Sequence, residues 1–164
     1  MRLTAWQSPL LIAGACALLG LGGCFGEDGD EGDQAASDYG LAVERVSDEV
    51  REQTTAALTT LNRAADGKLS GAAAAAELRE IQRRVSGAAE ELGGLTPPEG
   101  AAASAKDLAA SADDIALHLT IAATSVRVDS RTLPSIARAE AATLLAYQSG
   151  FSALSRAVRS LAVD

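Results

Sequence analysis

Between residues 74 and 161, apolar side chains recur in an alternation of four and three that resumes after each break in the chain, and this period constrains the fold more than any other property. In one segment the series is Ala74, Leu78, Ile81, Val85, Ala88, Leu92 and Leu95. The next repeats it with Ala101, Ala105, Leu108, Ala112, Ile115, Leu119, Ala122 and Val126. The last gives Leu133, Ala137, Glu140, Leu144, Tyr147, Phe151, Leu154, Val158 and Leu161, with Glu140 the one polar exception. A 3.5-residue period is the seam of helices packed as in a coiled coil and does not suit a strand. Upstream, Val43, Val46, Val50, Ala57, Leu58, Leu61 and Ala65 share one broad side of a further helical segment. Short connections make successive helices antiparallel neighbours. The expected fold is therefore all-α, an antiparallel up-down-up-down four-helix bundle over residues 38–164, forming a rod ~36 to 45 Å long.

Local signals divide that region into its four helices. The first stops at Asp66-Gly67-Lys68, and Ser70 is a good N-cap for the second. Gly93 and Gly94 end the second helix. Thr96-Pro97-Pro98-Glu99 reads as a capping box for the third, with Thr96 as N-cap and Pro97 in the first turn. Asp129, Ser130, Arg131 and Thr132 precede the fourth, whose first turn holds Pro134.

Ala supplies 36 of the 164 residues and occupies many seam positions of the second and third helices. Axes lined by Ala approach closely and leave little room for a sizeable interior pocket. Leu144, Tyr147, Phe151 and Leu154 collect on the fourth helix and fill the remaining space. The competing reading of Leu144, Tyr147 and Phe151 is a narrow apolar slot for a lipid or drug-like molecule; core packing is the commoner role of an aromatic at helical spacing.

Several residues break the pattern. Glu140 lies on the apolar seam at a level facing residues 117–124, within about a turn of His118. The preferred reading sends its carboxylate to solvent with Ala137 and Ala141 covering the seam; the alternative is a hydrogen bond to His118. Leu117 and Ile121 fall off the seam, as the edge of a wider core stripe or a small contact patch. Gly87 and Gly150 lie inside helices, where each costs ~1 kcal/mol relative to Ala. They mark either close helix approach or a slight kink. Arg79, Glu80, Arg83 and Arg84 read as a solvated face, with Glu80 four residues before Arg84.

Ahead of the helical region stands a different kind of sequence. Met1 and Arg2 precede the apolar run 10–23, which stops at Cys24 and is followed by Glu27, Asp28, Asp30 and Glu31. The run fits a signal-peptide core and falls short of the ~20 residues that span a bilayer. Leu21-Gly22-Gly23-Cys24 resembles the lipobox of bacterial lipoproteins, with Leu three residues ahead of the Cys and small residues between. That resemblance implies diacylglyceryl transfer to the Cys24 thiol and cleavage before Cys24, so that residues 1–23 form the signal peptide. Acyl chains at ~0.8 kcal/mol per buried methylene make a durable anchor. Cys16 makes a poorer lipobox, since Ala13 takes the Leu position.

Residues 24–37 carry five acids and no basic residue. They are expected to be a disordered tether after the lipidated Cys, reaching ~45 Å at full extension. The run lacks the spacing of a calcium loop. Removal of Arg2 takes the net charge from −8 to −9, of which the tether holds −5 and the helical region −4. Much of the acidity belongs to the spacer.

Reactive side chains are scarce. His118 is the one His, so a di-iron helical site built on two Glu-x-x-His pairs is excluded, and no G-x-S-x-G turn accompanies it. Zinc, haem-attachment and P-loop signatures are absent from the sequence. No catalytic residue, cofactor or metal site is expected. Only 14 Lys and Arg oppose 22 acids, and they are dispersed, which speaks against nucleic-acid binding.

With the tether entering the first helix, the two loops at the far end of the bundle bring Lys68, Arg127 and Arg131 together as candidate partner contacts. The expectation is a non-catalytic, lipid-anchored, extracytoplasmic helical interaction or scaffold protein on the outer face of the cell membrane, facing an envelope protein or polymer. The alternative is a small-ligand or lipid-binding bundle acting as sensor or carrier through Leu144, Tyr147 and Phe151. Lipobox, acidic spacer, Arg-over-Lys bias and the Leu95-Thr96-Pro97-Pro98 junction together resemble small Ala-rich helical lipoproteins of high-GC bacteria, a resemblance that carries no activity.

Overall fold

A computed structural model describes residues 30–128 and 131–161. Four helices follow one another: α1 (Asp30–Ala65), α2 (Gly71–Gly94), α3 (Ala102–Ser125) and α4 (Leu133–Leu161). Each packs on its neighbours in the chain, α4 closes on α1, and α1 meets α3 only marginally. The arrangement is a four-helix bundle. Cross-helix contacts fix the antiparallel sense. Arg45 pairs with Glu91 and Arg63 with Glu77 between α1 and α2, while Arg159 reaches Glu44 and Gln148 reaches Thr55 between α4 and α1.

The predicted seams form the core. Val43, Val46, Val50 and Leu61 from α1, Leu78 and Val85 from α2, Leu108, Ile115 and Leu119 from α3, and Leu144, Phe151 and Val158 from α4 are all buried. At ~1.5–3 kcal/mol per buried large aliphatic or aromatic side chain, these contacts supply most of the force that holds the bundle together. α1 departs from its neighbours: Ser47, Gln53, Thr54 and Thr60 are buried among its apolar residues. Thr54 returns its hydroxyl to the Val50 carbonyl at 2.7 Å, and Thr60 donates to Glu77 at 2.8 Å. Ser47 Oγ has no hydrogen-bond partner among the described residues.

Two boundaries differ from the sequence reading. α1 begins at Asp30, so residues 30–37, expected as part of the disordered tether, are instead its first turns. Once a helix is nucleated, each added residue gains a hydrogen bond without a new nucleation cost, and Gln34, Ala35 and Ala36 are good helix formers. Gly32, Gln34, Ala35, Ser37 and Asp38 are exposed, whereas Tyr39 is buried. The helix thus projects past its packed part, adding ~12 Å over eight residues. Residues 1–29 lie outside the described residues, and with them the signal peptide, Leu21, Gly22, Gly23, Cys24 and the start of the tether. Among the described residues, no helix is long and apolar enough to cross a membrane.

The second difference concerns α3. Thr96 and Glu99 form no capping box; α3 starts at Ala102 with Ala101 as N-cap and no side-chain capping bond. Pro98 bars the helical conformation to Pro97. The chain makes a turn closed by Ala101 N–H donating to the Pro98 carbonyl at 3.1 Å, in which Gly100 has φ +89°.

Candidate functional site

The end of the bundle opposite the start of α1 is built by two connections. After α1, Lys68 N–H donates to the Arg63 carbonyl at 2.8 Å and Gly67 N–H to the Ala64 carbonyl at 3.1 Å. Gly67 has φ +70°. This is a Schellman motif, in which a left-handed glycine satisfies the last carbonyls of the helix. Ser70 then caps α2 as expected, its hydroxyl accepting from Ala73 N–H at 3.2 Å. Gly71 lies against the end of α3 so closely that a Cβ there would collide with the Val126 carbonyl oxygen. That contact joins the two loops.

Between them is an open depression of 440 Å³, lined chiefly by Leu69, Ser70, Gly71, Val128, Leu133 and Pro134. Lys68, Arg127 and Arg131 are all exposed at this end, as the topology predicted. Lys68 pairs with Asp66 at 3.0 Å. Lys68 and Arg127 adjoin lining residues Gly67, Leu69 and Val128 in the chain, and Arg131 stands two residues before Leu133. Asp129 and Ser130, which precede α4 in the same connection, lie outside the described residues. The sequence reading missed the depression; Gly71, directly after a capping Ser and before five Ala, was the available signal of a close backbone approach.

A second cluster sits between α3 and α4. His118 Nε2 lies 3.3 Å from Glu140 Oε2 and 3.4 Å from the Glu140 carbonyl oxygen. Their side chains are only 9% and 15% exposed. The expectation that Glu140 reaches solvent is corrected: at this level the imidazole occupies the seam, and a carboxylate beside it gains a partner that water would otherwise supply. The Tyr147 ring stands 5.3 Å from the imidazole, tilted by 31°.

The three residues proposed as an apolar slot part company. Leu144 and Phe151 are fully buried in the core, while Tyr147 turns to His118 and remains 38% exposed. None of them lines the depression between the loops or the shallow polar one of 320 Å³ beside Gln148, Ser149, Ser152 and Arg156. Among the described residues, no group of three or more His, Cys, Asp or Glu side chains is arranged to hold a metal ion. Comparison with protein-family models, curated proteins and solved structures returns no match.

Proposed function

We propose that the chain is a lipid-anchored, extracytoplasmic interaction module without catalytic activity, held through Cys24 and presenting the far end of its bundle to a protein or polymer of the cell envelope. The observation that carries this reading is directional. Both loops converge on one depression lined mostly by apolar residues, with the exposed Lys68, Arg127 and Arg131 close in sequence to its lining residues, at the end of the bundle opposite the helix that continues from the acidic N-terminal segment. The anchor itself rests on Leu21-Gly22-Gly23-Cys24.

Helical residues 30–37 refine the spacer. A short rigid section carries the bundle outward and limits how freely it turns about its attachment. In vivo crosslinking of the full chain tests the surface: Lys68→Glu, Arg127→Glu and Arg131→Glu together are expected to remove a specific crosslinked band. An unchanged crosslinking profile would remove the proposal for this end of the bundle.

A further inference from the structure

α3 keeps two large apolar residues in water. Leu117 is 60% and Ile121 50% exposed, four residues apart on one row of the helix. The same outward face is charged unevenly along its length. Asp107, Asp113 and Asp114, with Lys106 beside them, lie N-terminal to Leu117, and Arg127 follows the helix's C-terminal end; all are exposed. None of these five makes an ion pair among the described residues.

We infer that this face of α3 is a self-association surface, on which two copies of the chain pack α3 against α3 in antiparallel two-fold fashion. A two-fold axis near residue 119 sets Leu117 of one copy against Ile121 of the other, twice over. It also brings Asp113 and Asp114 of each copy within an arginine's reach of Arg127 of its partner. A parallel pairing would instead stack acids on acids. A self-complementary patch with opposite charge at its two ends is what an isologous interface requires. A second copy therefore matches this face in both shape and charge.

The size of the patch sets its strength. A two-fold axis near residue 119 overlaps only residues 113–125 of each α3, about 20 Å of helix about 10 Å wide, so two such faces cover roughly 400 Å², well below the ~1,200 Å² of stable interfaces. The contact belongs to the transient class, a concentration-dependent monomer–dimer equilibrium. Tyr147, which reaches α3 at His118, borders the patch on the α4 side. The inference does not depend on the lipid anchor; it shares Arg127 with the loop end of the bundle, while Leu117, Ile121, Asp113 and Asp114 belong to this face alone.

The test is sedimentation equilibrium of the full chain in density-matched detergent. The wild-type chain is expected to show reversible dimerisation, and Leu117→Ser with Ile121→Ser to weaken it at least about tenfold, since four apolar side chains leave the contact. Arg127→Asp alone, or Asp113→Arg with Asp114→Arg, is expected to weaken dimerisation about fivefold. Combining all three changes should restore it. These side chains are exposed, so unchanged thermal melting confirms that each variant folds. Monomers at every concentration, association indifferent to Leu117 and Ile121, failure of the combined charge exchange to restore dimers, or a monomer that holds a different protein on this face would each overturn the inference.

Discussion

Glu140 Oε2 and His118 Nε2 meet at 3.3 Å across the seam between α3 and α4, where an unbroken heptad would place an apolar side chain. The contact turns the one polar exception on α4 into a bond between helices. A double-mutant cycle with Glu140→Ala and His118→Ala should give a coupling of ~0.5–1.5 kcal/mol, the ordinary net worth of a hydrogen bond. Additive losses in chemical denaturation would show that the two side chains do not stabilise each other.

Among the helical glycines, Gly71 should respond in the opposite direction to Gly87 and Gly150. Nothing stands within 4 Å of a Cβ added at Gly87 or Gly150, whereas one at Gly71 meets the Val126 carbonyl. Gly87→Ala and Gly150→Ala are each expected to stabilise by up to ~1 kcal/mol. Gly71→Ala should destabilise by about 1–3 kcal/mol as backbone shifts to make room. Thermal melts of the three variants check the difference in sign.

Ser47 is buried, and its hydroxyl has no partner among the described residues. Ser47→Ala removes a desolvated polar atom and leaves a side chain that α1 already uses throughout its core. A stability gain of about 1 kcal/mol is expected, the lower end of the cost of an unsatisfied buried group. A loss of stability would show that the hydroxyl has a partner in solution.

Burial pushes the Tyr39 phenol up from its usual 10.0. The neutral ring favours the fold, so the unfolded chain ionises first as pH rises. This contribution is complete below pH ~10 and is lost as pH climbs through the raised folded value. Denaturant midpoints measured across the alkaline range should fall less steeply for Tyr39→Phe than for the wild-type chain.

How far the sequence could be read depended on whether a feature was local or shared between helices. The four-three period needs only one strand of sequence, and it located Leu78, Ile115, Leu144 and Phe151 in the core. Ser70 likewise announced its own cap. Thr96 failed because Pro98 acts on Pro97, a restriction that outweighs a matching pair of capping residues. The apolar pattern of α1 shows only as one broad side because the buried positions Ser47, Gln53, Thr54 and Thr60 are polar.

The candidate surfaces were less legible. Topology brought Lys68, Arg127 and Arg131 to one end, but the depression there depends on Gly71 touching Val126 from another helix. Tyr147 and Phe151 share a seam register, yet one packs on His118 and the other disappears into the core. Register gives the face of a helix; the neighbour decides whether that position is covered.

Mass spectrometry of the N-terminal peptide from membrane-extracted protein, expressed in a bacterial host, tests the anchored module most directly. The peptide is expected to begin at Cys24 and to carry a diacylglyceryl group on its sulfur. A peptide beginning at Met1, or one with an unmodified Cys24 thiol, would contradict it.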